Sequence, residues 1–283
     1  MKTIIYLQGG LGNQMFQYAF FLSMAAKYQR VTYNTAWYNV NTCHNGFELQ
    51  RLFGIPPQGS QSQLLLLRAI RRLKHLGIQL AGINLVQDTI PTTYRQYRPS
   101  EHVNLFDGYW QSEKFFAAIT EHVRKTFQWD LSQLNSKSHE ILSKINNSKA
   151  AISLHVRRGD YLAPEASDLY TGICTESYYS KAISRIKSEI SDATFFVFSD
   201  DIQWAKENLP LKKAIFVDHN RRLDSWQDML LMSQCDHNII ANSSFSWWGA
   251  WLNPNPRKIV ITPSRFLNIG NNADLIPSVW LKI

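Results

Sequence analysis

Short runs of β-branched and aromatic residues recur along the chain, and roughly one helix length of amphipathic sequence separates most of them. That spacing constrains the fold more than any other feature. Consecutive strands joined through a helix run parallel, whereas antiparallel neighbours need only a short turn. The pattern predicts strands over 4–7, 31–33 and 103–110 and helices over 13–28 and 112–127. A second, cleaner series has strands at 150–156, 194–199, 214–217, 237–241 and 258–261. Helices are expected between them at 176–190, 201–208, 224–234 and 244–252. The polar stretch 135–149 reads as helical and as the boundary between halves, dividing the chain into 1–149 and 150–283. The economical α/β architecture is two Rossmann-like domains facing a cleft.

With 283 residues and 45% hydrophobic content, the chain can bury two cores of ordinary size. Its net charge of +8 fits an anionic partner without naming one. Cys43, Cys174 and Cys235 are too few and too scattered for a disulfide framework or a zinc site, which fits a reducing compartment. The apolar run after Lys2 is too short for a signal sequence and reads as a strand. No stretch has the roughly 18 to 20 apolar residues a span requires, so a soluble, cytoplasmic protein is expected. The segment 64–76 is a basic amphipathic helix with two readings. Its leucines pack on the core with the cations in water, or it rests on an anionic membrane, at the inner face.

Three segments carry chemistry. His155-Val156-Arg157-Arg158-Gly159-Asp160 closes a buried strand at its carboxyl end, where open α/β sheets bind ligands. Two arginines there are costly unless anions meet them. In extended backbone they point to opposite sides, so one can clamp a phosphate while the other pairs inward, with Asp160 as a candidate partner. A surface ion-pair cluster is the plainer alternative. Ser243 and Ser244 open a helix just beyond another strand, and the free amides of a first turn attract phosphate. N-capping of a core helix bearing Trp247, Trp248 and Trp251 explains the same residues. The run Gly9-Gly10-Leu11-Gly12-Asn13-Gln14 follows a strand, but Met15 replaces the third glycine of a dinucleotide fingerprint and no acidic residue ends the next strand. Gly10 and Gly12 still permit close backbone approach, and Asn13 and Gln14 could offer amides to a sugar. Asp200 and Asp201 end a further strand, where they either cap a helix or touch a nucleotide.

Taken together and in order, GGLGNQMFQYA, HVRRGDY, FSDD and LMSQCDHNIIANSSFSWWGAWL resemble the bacterial α-1,2-fucosyltransferases of glycosyltransferase family 11. The resemblance spans nearly the whole chain. It implies a GT-B fold, GDP-β-L-fucose as donor, inversion at the anomeric carbon, and no metal or other cofactor. The acceptor it implies is the 2-hydroxyl of a galactose-terminated oligosaccharide or lipid-linked glycan. Residues 1–149 would face the acceptor and 150–283 would bind the donor. The resemblance further puts Arg157 on the β-phosphate, His155 near the nucleotide with Arg158 and Phe245, and Asp228 on guanine. Ser243 and Ser244 would touch the pyrophosphate, and Asn13, with Gly10, Gly12 and Gln14, would lie near the reacting centre.

The chemistry agrees with those roles, because departure of a nucleoside diphosphate leaves negative charge that an arginine fork suits. Two carboxylates, Asp160 and Glu165, compete for the general base, and an arginine partner would make Asp160 a poor one. A transferase of different linkage, a binding protein that has lost catalysis and a nucleic-acid-binding protein are the alternatives. Against the last, the cations are not gathered on one domain and no nucleic-acid motif is present.

Overall fold

The computed structural model describes residues 2–283 except 42 and 43, and leaves the Glu165 side chain undescribed. Expectations for Cys43 and for Glu165 as a base therefore lie outside the described residues. The chain divides into two compact units, 1–129 and 130–283. The division falls twenty residues before the boundary read from sequence, because the helix over 136–146 packs on the second unit's helix over 226–234.

In the first unit, strands β1 (Lys2–Tyr6), β2 (Val31–Asn34), β3 (Ile83–Gln87) and β4 (Val103–Asp107) form one parallel sheet in the order β2-β1-β4-β3. Helices α1 (Leu11–Ala25), α2 (Glu48–Phe53), α3 (Gln61–His75) and α4 (Thr120–Thr126) accompany them. Strand β3 lies between the strands expected at 31–33 and 103–110, where none was expected, and 113–119 forms two 3-10 turns where a continuous helix was expected. Helix α3 starts with a capping box, Ser60 accepting from the Gln63 N–H while the Gln63 side chain accepts from the Ser60 N–H. It buries Leu64, Leu67 and Ile70 against Ile4, Tyr6 and Leu105 of the sheet. Arg71 makes a bidentate ion pair with the buried Asp107 that ends β4. The core reading of this helix therefore holds for its inner face.

In the second unit, β5 (Ala150–Val156), β6 (Ala193–Ser199), β7 (Ile215–Val217), β8 (His237–Ile239), β9 (Val260–Thr262) and β10 (Leu281–Lys282) form a second parallel sheet, in the order β10-β9-β8-β5-β6-β7. Helices α5 (Ser136–Asn146), α6 (Pro164–Tyr170), α7 (Glu176–Glu189), α8 (Ile202–Asn208), α9 (Trp226–Gln234) and α10 (Ser244–Leu252) complete it. Ile152, Leu154 and Val156 pack with Tyr178, Tyr179, Ile183 and Ile186 of α7, and β5 is buried along nearly its whole length. A continuous apolar strand of this kind needs helices on both faces, which is what a parallel sheet supplies. No helix among the described residues is long and apolar enough to cross a membrane.

An amide network fixes the register of β8. Asn238 Nδ2 donates to Ser153 Oγ at 2.7 Å and to the Met232 carbonyl at 2.8 Å, and Asn238 Oδ1 accepts from Asn253 at 2.8 Å. Removing a fully buried amide strands its partners, each at about 1–3 kcal/mol. Asn238→Leu is expected to lower stability by about 3 kcal/mol in denaturant titration, while Asn255→Ala, at the rim of the same network, costs well under half of that.

Candidate nucleotide and phosphate site

The order of the second sheet locates the site. The chain runs outward from β5 through β6 to β7, then crosses to β8 on the other flank of β5 and continues outward. Ligands of open α/β sheets sit at such a reversal, beyond the carboxyl ends of the two flanking strands. Here those ends lead into the arginine loop after β5 and the serine turn before α10. The two are joined directly. Tyr161 Oη donates to the Asn242 carbonyl at 2.9 Å, and the His155 and Phe245 rings lie 5.9 Å apart.

The arginine loop is held by carboxylates from the end of β6. Asp200 Oδ1 accepts from the Arg158 N–H at 3.0 Å, and Oδ2 accepts from the Gly159 N–H at 3.1 Å. Asp200 Oδ2 also pairs with Arg157 Nη1 at 3.1 Å. A Cβ at 159 would lie 2.9 Å from Asp200 Oδ2, so any larger residue there would have to push this carboxylate aside. Arg158 turns away from Arg157, pairing with Asp201 at 3.2 Å and lying 4.2 Å over the Trp204 ring. The two arginines thus have different partners, and both meet carboxylates. The partner assigned to the inward arginine is not Asp160, which pairs instead with Arg157 Nη2 at 2.9 Å. Asp160 is placed there because the chain turns into a 3-10 helix directly after Gly159. The same pair commits Asp160 to an arginine, the arrangement that disfavours it as a base.

His155 is buried with its Nδ1 unpartnered, and burial together with Arg157 pushes its pKa down to about 3, so the ring is neutral. Ser243 caps α10, its Oγ accepting from the Phe245 N–H at 3.3 Å, and Ser244 is half-buried beside it. Asp228, in the first turn of α9, is half-buried, and Asn220 Nδ2 donates to its Oδ1 at 2.8 Å. Asn220 is itself oriented, because its Oδ1 accepts from Asn135 Nδ2 and Ser138 Oγ, each at 3.1 Å. Burial pushes the Asp228 carboxyl up to about 7 against the Asn220 hydrogen bond and Arg221.

In the first unit, Gly9 has φ +84°, which only glycine adopts freely, and α1 begins two residues later. Gly10 lies in this turn as the residue preceding the helix, and Gly12 is in the first turn of α1. Asn13 Oδ1 accepts from Gln111 Nε2 at 2.7 Å. Gln14 is corrected relative to its expected sugar contact. It is fully buried, its Nε2 donating to the Gly9 and Gly46 carbonyls at 3.1 and 2.9 Å and its Oε1 accepting from the Glu48 N–H at 2.9 Å. Every polar group of that amide is spent on backbone. Sequence reading also left out Asn220 and gave Asp200 no definite part. FSDD carried a signal for Asp200, whereas an asparagine in the loop after β7 carries none.

The chain belongs to glycosyl transferase family 11, whose family model matches residues 90–268. It is 32% identical to an alpha-1,2-colitosyltransferase of Escherichia coli, over 99% of this chain and 98% of that protein. It is 24% identical to a galactoside alpha-(1,2)-fucosyltransferase 1 of Ateles belzebuth, over 98% of this chain and 76% of that one. Among solved structures, the NodZ alpha-1,6-fucosyltransferase soaked with GDP-fucose superposes with a TM-score of 0.51 at 14% identity, covering 92% of this chain and 94% of that one. That likeness bears on the fold, which is of the GT-B class. Fucosyl- and colitosyltransferases are thus this chain's relatives.

The pH dependence of Asp228 has a definite sign. A carboxyl whose pKa is raised by folding favours the folded state while protonated, and that advantage fades as pH rises from about 4 through about 7. Asp228→Asn keeps an acceptor for Asn220 and removes the buried charge. It is expected to raise stability on the order of 2 kcal/mol at pH 8 and hardly at all near pH 4. Melting temperatures across that range check this.

Proposed function

We propose that the protein transfers L-fucose from GDP-β-L-fucose, with inversion, to the 2-hydroxyl of a galactose-terminated glycan, either a free oligosaccharide or a lipid-linked one. The observation that carries this reading is the clustering of phosphate-suited groups at the sheet reversal of a family 11 chain. Arg157 and the Ser243–Ser244 turn meet there, with a desolvated carboxylate, Asp228, on a neighbouring helix start.

The acceptor oxygen attacks the anomeric carbon from the face opposite the leaving diphosphate. The bond from that carbon to the β-phosphate oxygen breaks, and its electron pair stays on the diphosphate. Arg157 meets that growing charge, and the β-phosphate takes the place of Asp160 on Nη2 while Asp200 keeps Nη1. Arg158 keeps its acidic partner and its tryptophan, holding the loop. Ser243 and Ser244 contact the pyrophosphate, and the unpartnered Nδ1 of His155 meets the nucleotide beside Phe245. Asp228 accepts from guanine N1–H and the exocyclic amine. Asn13, with Gly10 and Gly12, attends the acceptor side. Asp160, once displaced, or Glu165 takes the hydroxyl proton. Arginine supplies the counter-charge, so the reading needs no metal.

The colitosyltransferase relative favours a second donor reading. Colitose is fucose lacking the 3-hydroxyl, so the same diphosphate site would serve a colitosyl nucleotide. Purified protein offered GDP-fucose, GDP-mannose and the colitosyl donor with defined β-galactosides separates these. The expected outcome is α-1,2-fucosylated product with the first donor, and transfer only from the colitosyl donor would replace fucose in this reading. EDTA should change the rate by less than about twofold. A strict need for manganese would instead point to Asp200 and Asp201 as ligands.

Arg157→Ala should lower kcat by about 100- to 1,000-fold, and Arg157→Lys should recover little, because an ammonium cannot reproduce the fork. Arg158→Ala should lower the melting temperature as well as the rate. Near-normal kcat in Arg157→Ala would show the two arginines to be assigned the wrong way round.

A further inference from the structure

The outer face of α3 is not what a core helix presents to water. Leu64, Leu67 and Ile70 pack inward. Leu65, Arg68, Ala69, Arg72 and Leu76 follow at i, i+3, i+4, i+7 and i+11 and share the opposite face. Leu65 is 59% exposed and Leu76 74% exposed, and the connection to β3 adds Ile78 at 48% and Leu80 at 42%. Leucines usually seek the core, and Leu76, Ile78 and Leu80, gathered where α3 gives way to β3, form the kind of patch that marks an interaction site, with Leu65 about three turns back along the helix.

The parallel topology says where this patch sits. All four strands of the first sheet point the same way, so the segments entering them share its amino edge, opposite the glycine turn after β1. Those segments, 26–30, 76–82 and 94–102, contain Lys27, Arg30, Arg95 and Arg98 but only Glu101 as an acid. Lys2 opens β1, and Arg72 and Lys74 end α3 beside them. None of these cations forms an ion pair among the described residues, in contrast to Arg71 and Arg157. Between the strand starts lies an open basin of about 680 Å³ lined by Lys2, Arg30, Thr32, Glu101 and His102.

We infer that the amino edge of the first sheet, with the last turn of α3, is a docking surface for an anionic lipid bilayer. Leu76, Ile78 and Leu80 enter the boundary between headgroups and chains, and Lys2, Arg30, Arg72 and Lys74 meet lipid phosphates. Cations alone would equally suit a nucleic acid, but a polyphosphate backbone has no use for projecting leucines. A lipid surface satisfies both groups at once. The inference does not depend on the donor assignment.

The test is co-sedimentation of the full chain with vesicles of phosphatidylcholine, alone or with about one-third phosphatidylglycerol. Wild type is expected to bind only the anionic vesicles and to release in high salt. Arg72→Gln with Lys74→Gln should weaken that partition about 25-fold, at about fivefold per cation. Leu76→Ser with Ile78→Ser should weaken it about tenfold. Both variants alter exposed residues and should keep the wild-type melting temperature. If the leucine variant fails to fold, the charge variant decides. Equal binding to neutral vesicles, or binding unmoved by either variant, would overturn the inference. So would a leucine variant that merely converts a dimer to a monomer without vesicles, which would make the face an interface between copies.

Discussion

A strand buried on both faces cannot end in two adjacent arginines unless carboxylates meet them within a residue or two. In the second unit that requirement is met by the neighbouring strand. The pairing of β5 with β6 runs from Ala150 opposite Ala193 to Val156 opposite Ser199, so Arg157 and Arg158 emerge beside Asp200 and Asp201. One carboxylate then holds two backbone amides and a guanidinium. A shift of one residue in that register would turn the side chains to the other face and take Asp200 and Asp201 away from the arginines they pair with. The phosphate-facing loop is thus fixed by a ladder of ordinary strand hydrogen bonds several residues away.

The first unit solves a similar problem with neutral groups. Gln17 accepts from the Gln8 N–H and donates to the Gly108 carbonyl, tying α1 to the ends of two strands. Gln14 does the same for the glycine turn and the start of α2. Amides can be buried at modest cost when every donor and acceptor is used, and they bring no field that would compete with a charged ligand.

Much of this was legible in the sequence. The helix-length spacing of apolar runs gives the parallel sheets, and the second series of strands was placed within a residue or two because Ile152, Leu154, Phe195 and Val197 are buried and periodic. Strand β3 escapes the sequence pattern because Ile83-Asn84-Leu85-Val86-Gln87 is half-buried and follows a glycine-containing connection whose own apolar residues blur the strand's start. The helix expected at 112–127 breaks because Ser112 and Phe116 open successive 3-10 turns, a local choice that periodicity does not register. At the site, residue types announced the phosphate chemistry, but which arginine meets which carboxylate depends on strand neighbours far apart in the chain. Gln14 shows the opposite failure, since an amide beside glycines looks like a ligand group until its partners are seen.

Helix α10 has a consequence of a different kind. Its first turn belongs to the serine cap, and the same nine residues carry Trp247, Trp248 and Trp251, with Trp247 and Trp251 stacked at 6.1 Å and Trp280 at 5.4 Å from Trp247. Indoles this close share their excited states. Any ligand that tilts the start of this helix alters the coupling among them, so the near-ultraviolet circular dichroism of the unlabelled chain is a built-in optical readout of site occupancy.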